Sequence, residues 1–97
     1  MRLPPFTIAE NEFLLNNKRT VEFYKAKKKQ QIEIARNIES DMIKIFGNSA
    51  RDYIEITSRL KNMRLQYLRF CKLDVDLYVI KWRYFKKMAE IMKQSVY

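Results

Sequence analysis

Counting in sevens from Tyr53 gives Tyr53, Leu60, Tyr67, Asp74, Lys81 and Met88, and the positions three further on are Ile56, Met63, Phe70, Leu77, Tyr84 and Ile91. Only Asp74 and Lys81 interrupt this apolar series. A strict seven-residue repeat keeps one seam of a helix turned toward one partner helix, so the pattern predicts a long helix that pairs with another. The first half carries a weaker version: Leu14, Asn17, Val21, Tyr24, Lys28, Gln31, Ala35, Ile38, Met42 and Ile45. Its polar members, Asn17, Lys28 and Gln31, cluster in the middle.

Punctuation decides where such helices start and stop. Pro4 and Pro5 stand at the beginning, Gly47 is the single glycine, and no other proline follows. Thr7 and Glu10 have the spacing of a capping box, in which each side chain satisfies an orphan backbone N–H. Gly47 accepts the left-handed conformation that ends helices. Ser49 with Asp52 repeats the capping spacing. The reading is an all-α chain with an N-terminal extension over 1–7, helix one over 8–46, a turn at Gly47-Asn48 and helix two over 49–96. A connection this short makes the helices antiparallel neighbours, a helical hairpin.

Equal rise in both arms makes the numbers of facing residues sum to about 95. That register sets Ile38 near Ile56, Ala35 near Leu60 and Val21 near Asp74, with Asp74 among Lys18 and Lys25 and Lys81 toward Glu10. Polar seam residues of this kind penalise misaligned pairings. An alternative is a break over Leu73–Asp76, where Asp74 or Asp76 caps a third helix and the fold becomes a three-helix bundle. A β-strand over Leu77–Phe85 is the weaker alternative, because that segment keeps the seven-residue phase and lacks flanking turns.

A hairpin consumes one apolar stripe per helix, and helix two has more. From Leu77 to Phe85 the apolar residues surround the axis, which predicts burial on all sides. Leu65 and Leu68 sit opposite the seam. The expected protein interface is therefore Leu65, Leu68, Val79, Ile80, Trp82, Tyr84, Phe85, Met88, Ile91 and Met92, closing an oligomeric bundle or docking on a larger protein. Ile45-Phe46-Gly47 followed by Tyr53 stands where the small Trp-x-Gly secretion proteins carry their motif, with isoleucine in place of tryptophan. In chain length and turn position the sequence resembles that family of helical hairpins, and the resemblance implies shape alone.

Twenty Lys and Arg against eleven Asp and Glu give a net charge of +9. Such a field attracts polyanions. The cations group as Lys25, Lys27, Lys28 and Lys29, then as Arg59, Lys61, Arg64, Arg69 and Lys72. In the hairpin register the two groups meet as one belt suited to the phosphates of DNA or RNA, without strong sequence specificity. The expected function is thus a non-enzymatic, nucleic-acid-associated binding protein. The alternative is a protein–protein adaptor, inhibitor or secretion partner with no nucleic-acid role.

The chain has no histidine and one cysteine. The usual proton shuttle and a Cys/His zinc site are therefore missing, and with one glycine there is no phosphate-cradling loop. No catalytic residue, metal or cofactor is expected. Cys71 is expected as a reduced, core-filling thiol on the apolar face. No apolar run approaches a membrane span and no signal peptide is recognisable, so an intracellular location is the default.

Overall fold

The computed structural model of the chain describes residues 5–72 and 82–95. It is all-helical, and no strand occurs among the described residues. The α-helices are α1 (Ile8–Asn16), α2 (Lys18–Lys25), α3 (Lys28–Phe46), α4 (Tyr53–Lys72) and α5 (Phe85–Ser95), with a 3-10 turn over Gly47–Ser49.

The single helix expected over 8–46 is three helices, and its breaks fall among the polar residues of the weaker repeat. At Asn17 the backbone turns extended (φ −85, ψ 126), and the Asn17 side chain accepts the Arg19 N–H at 2.9 Å to start α2. Thr20, fully buried, donates its hydroxyl to the Leu14 carbonyl. Asp41 of α3 secures the break from outside, accepting from Asn17 Nδ2 at 3.2 Å and from Arg19 Nε at 3.0 Å. The second break, at Ala26 and Lys27, is closed by Gln31, whose side-chain amide donates to the Phe23 carbonyl at 3.0 Å. The reason for breaking is burial. Each lost backbone hydrogen bond costs about 1 kcal/mol net, whereas enclosing a large apolar side chain contributes about 1.5–3 kcal/mol. Leu14 and Phe23 both become fully buried.

Glycine does end α3 as expected. Gly47 has φ +58, and its N–H donates to the Ile43 carbonyl. The restart differs from expectation, because Ser49 is used in the 3-10 turn and α4 begins at Tyr53. Its cap is Asp52, which accepts the Glu55 N–H at 2.8 Å while Glu55 accepts the Asp52 N–H at 3.4 Å. Glu39 of α3 accepts the Tyr53 N–H at 2.7 Å, so another of the helix's orphan donors is satisfied from across the turn.

α3 and α4 pack against each other in opposite directions. Arg36 of α3 lies over the Tyr53 ring at the start of α4, while Gln31, nearer the start of α3, shares a groove with Lys61 and Arg64 further along α4. Ala35, Ile38, Ile56 and Leu60, paired by the seven-residue register, lie in one core with Leu14, Phe23 and Met42. The register pairs involving Asp74 and Lys81, and the alternative break over Leu73–Asp76, lie outside the described residues. A second core joins Leu15, Met63, Tyr84, Met88 and Ile91, and half-buried Tyr24 touches both cores. Helix two is not continuous over 49–96. Residues 82–84 are outside any helix, and the Phe85 N–H closes a turn on the Trp82 carbonyl at 3.1 Å before α5 begins.

Candidate functional site

Of the ten residues expected as protein interface, four are buried within the chain itself: Tyr84, Phe85, Met88 and Ile91. This corrects the expectation of an open apolar face. The broken N-terminal half supplies what a two-helix hairpin lacks, because α2 packs on α5 and α1 touches it as well. Tyr67 and Phe85 meet at 5.2 Å between ring centroids, and Phe70 stacks on Trp82 at 5.8 Å. Trp82 and Met92 are left half-buried. Leu65 and Leu68 remain open to solvent, at 54% and 39% exposure. Val79 and Ile80 lie outside the described residues. Phe23, which is not a member of the seven-residue series, is in the core, and Cys71, expected as a core-filling thiol, is exposed. Met63 is the last fully buried position of α4, so the cysteine falls beyond the end of the core.

The basic residues divide differently. Lys25 ends α2, Lys27 stands between helices, Lys28 and Lys29 open α3, and all four are exposed. Lys61, Arg64, Arg69 and Lys72 are exposed along α4. The ion pairs among the described residues are Arg19–Asp41, Arg51–Glu10 and Arg51–Glu55, so none of these eight cations is neutralised by one. A groove of about 300 Å³ runs between the α2–α3 junction and α4, with Phe23, Tyr24 and Gln31 on one wall and Lys61, Arg64, Leu65 and Leu68 on the other. Its aromatic groups are not free to stack on a base. Phe23 is fully buried, and the Tyr24 hydroxyl donates to the Leu60 carbonyl at 2.6 Å. Burial pushes the Tyr24 hydroxyl well above the ordinary tyrosine range, against the opposing pull of Arg64 and Arg59.

Arg59 does not belong with them. It is half-buried, and its Nε–H donates at 2.8 Å to the side-chain oxygen of Asn11, whose amide donates to the Tyr84 hydroxyl at 3.3 Å. No carboxylate among the described residues pairs with it. Burial holds its guanidinium below the ordinary arginine range, while Tyr84 and Tyr24 act the other way. The reason lies in the fold: Leu14 of α1 joins Ile56 and Leu60 of α4 in one core, which sets Asn11 against Arg59.

Sequence reasoning passed over Arg51. Its Nε donates to Glu10 Oε2 at 2.7 Å, its Nη2 to Glu10 Oε1 at 3.1 Å and to the Pro5 carbonyl at 3.0 Å, and its Nη1 to Glu55 Oε2 at 3.2 Å. The Phe6 ring lies 4.5 Å from the guanidinium carbon. Glu10 still closes the Thr7 capping box, at 2.9 and 3.2 Å. Hydrogen bonding from Arg51 holds the Glu10 carboxyl below its usual range despite burial, and the same bond raises Arg51. This cluster is a structural clasp between the start of α1 and the start of α4. Its only sequence signal was an arginine next to a predicted turn, with an acid four residues on.

Among the described residues, no group of three or more Cys, Asp and Glu is placed to hold a metal ion. No described helix is long and apolar enough to cross a membrane. No family model, curated protein or solved structure matches this chain.

Proposed function

We propose that this chain is a non-enzymatic binding protein that contacts the phosphates of nucleic acid through the basic surface formed by the α2–α3 junction and α4. One observation carries the reading. Lys25, Lys27, Lys28, Lys29, Lys61, Arg64, Arg69 and Lys72 are all exposed and, among the described residues, make no ion pair, although acids of the same chain pair with other arginines. Cations left in water keep their full field for an external polyanion. Neutralising phosphates then releases counterions, so affinity depends steeply on salt.

The chemistry favours backbone contact over base reading. Among the described residues no exposed aromatic stands among these cations, and Leu65 and Leu68 have no hydrogen-bonding group to offer a base edge. Binding of this kind positions a protein on a nucleic acid without selecting a sequence.

The test is a titration of a fluorescent duplex at several salt concentrations. The proposal expects binding at low salt whose logarithm falls linearly with the logarithm of salt concentration. Lys28→Gln and Arg64→Gln should each reduce the slope by about 1. Absence of binding at low salt overturns it.

A second reading, a protein adaptor, is supported by Leu65 and Leu68, whose exposed side chains lie between cations on α4. Its support is smaller than the sequence suggests, because four of the residues that motivated it are in the core.

A further inference from the structure

The segment before α1 and the first half of α4 border an open groove of about 460 Å³ lined by Pro5, Phe6, Arg51, Ile54, Glu55, Ser58, Arg59 and Asn62. Its size is ordinary for a small-molecule site. Its two arginines are in opposite states. Arg51 is held by Glu10 and Glu55, so its charge is already answered. Arg59 has been drawn half out of water and, among the described residues, pairs with no carboxylate. Moving a charge out of water without a partner is costly, and an incoming carboxylate recovers that cost by forming charge-assisted hydrogen bonds.

The other walls narrow the ligand. Ile54, 60% exposed, and the Phe6 ring present apolar surface on the same pocket, while Ser58 and Asn62 add a hydroxyl and an amide. With Arg51 and Glu55 answering each other, Arg59 is the one lining cation left for an anion, which suits a single negative charge better than a dianion such as phosphate. The bound group therefore carries one negative charge and an apolar body.

We propose that this pocket binds a small apolar monocarboxylate, its carboxylate on the Arg59 guanidinium and its apolar body against Ile54 and Phe6. The site is separate from the exposed cations of the α2–α3 junction and does not depend on nucleic-acid binding.

The experiment is an amide-resolved NMR titration of the full chain with phenylacetate, and in parallel with its neutral counterpart phenylacetamide. Saturable shifts confined to Ile54, Ser58, Arg59, Asn62 and the residues next to them are expected. Phenylacetamide should bind at least about tenfold more weakly, as an unanswered ionic hydrogen bond requires. Arg59→Gln should weaken phenylacetate by a similar factor and leave phenylacetamide unchanged. Should that variant fail to fold, Asn62→Glu, on the exposed side of the pocket, adds a negative charge beside Arg59 and is expected to weaken phenylacetate binding while leaving phenylacetamide unchanged. Equal affinity for the acid and the amide overturns the proposal. So do shifts spread over the lysines of the α2–α3 junction, which mark general attraction to the basic surface.

Discussion

Arg51 and Arg59 stand two helical turns apart at the same α1–α4 seam, and Glu55 lies four residues from each. The structure gives Glu55 to Arg51. That arginine stands just before α4, outside any helix, and its side chain reaches both Glu10 and Glu55, whereas Arg59 is fixed within the helix against Asn11. One end of the seam is an ionic cluster, and the other is a half-buried cation whose hydrogen-bond partner among the described residues is the neutral Asn11. The lesson is that neighbouring charges on one helix are assigned by the backbone that carries them, not by spacing alone.

The comparison can be broken most severely at its satisfied end. Arg51→Met leaves Glu10, with a side chain only 8% exposed, as an unpaired charge. Removing one partner of a buried pair costs about 3–5 kcal/mol, so chemical denaturation should show a loss of that order. The variant also releases Glu55, and a double-mutant cycle of Arg51→Met with Arg59→Met should reveal coupling between two sites that share one acid.

Glu10→Gln is expected to cost less, about 1–3 kcal/mol, since the amide keeps part of the hydrogen bonding. It also tests a pH dependence. Glu10 titrates below its unfolded value in the native state because of Arg51, so its contribution is fully present above the unfolded carboxylate range. That contribution is lost as pH falls through the lowered native value. Denaturation across this acid window should show the wild-type advantage over Glu10→Gln shrinking toward zero.

At the unsatisfied end the effects are small. Arg59→Met removes one hydrogen bond to Asn11 but also relieves a desolvated charge, so stability should change by less than about 1 kcal/mol. A loss comparable to that of Arg51→Met would mean that Arg59 has a strong partner after all. Smallest of all, Asn62→Glu sets a carboxylate three residues from Arg59 and should stabilise by about 0.2–0.5 kcal/mol, an effect that vanishes at high salt.

Much of the framework was readable from residue pattern. Thr7 with Glu10, the glycine stop at Gly47, and the gathering of Ala35, Ile38, Ile56 and Leu60 into one core follow from local chemistry and a seven-residue period. Even the breaks in helix one had a signal, since Asn17, Lys28 and Gln31 were the polar failures of its repeat. They read as a weak seam because periodicity does not distinguish a poor stretch of helix from a helix that stops. The candidate surfaces were legible only for cations on faces that any helical packing leaves open, such as Lys28 and Arg64. Where packing decides exposure, at Arg59 and Phe85, residue pattern alone did not show which way the side chain would face.

Residue pattern alone makes this chain helical, stops a helix at its one glycine, and puts a large excess of positive charge on its surface. These follow from backbone preferences and from the scarcity of acids, both of which are local or additive. Only the tertiary structure decided what the apolar excess of the C-terminal segment is for. A chain of 97 residues has little volume in which to bury surface, and folding the broken N-terminal helices over α5 hides Tyr84, Phe85, Met88 and Ile91 without a partner. The same fold turned one cation of the basic group inward. Whether a side chain faces water depends on which helix lies across it, and that is a property of the assembled chain.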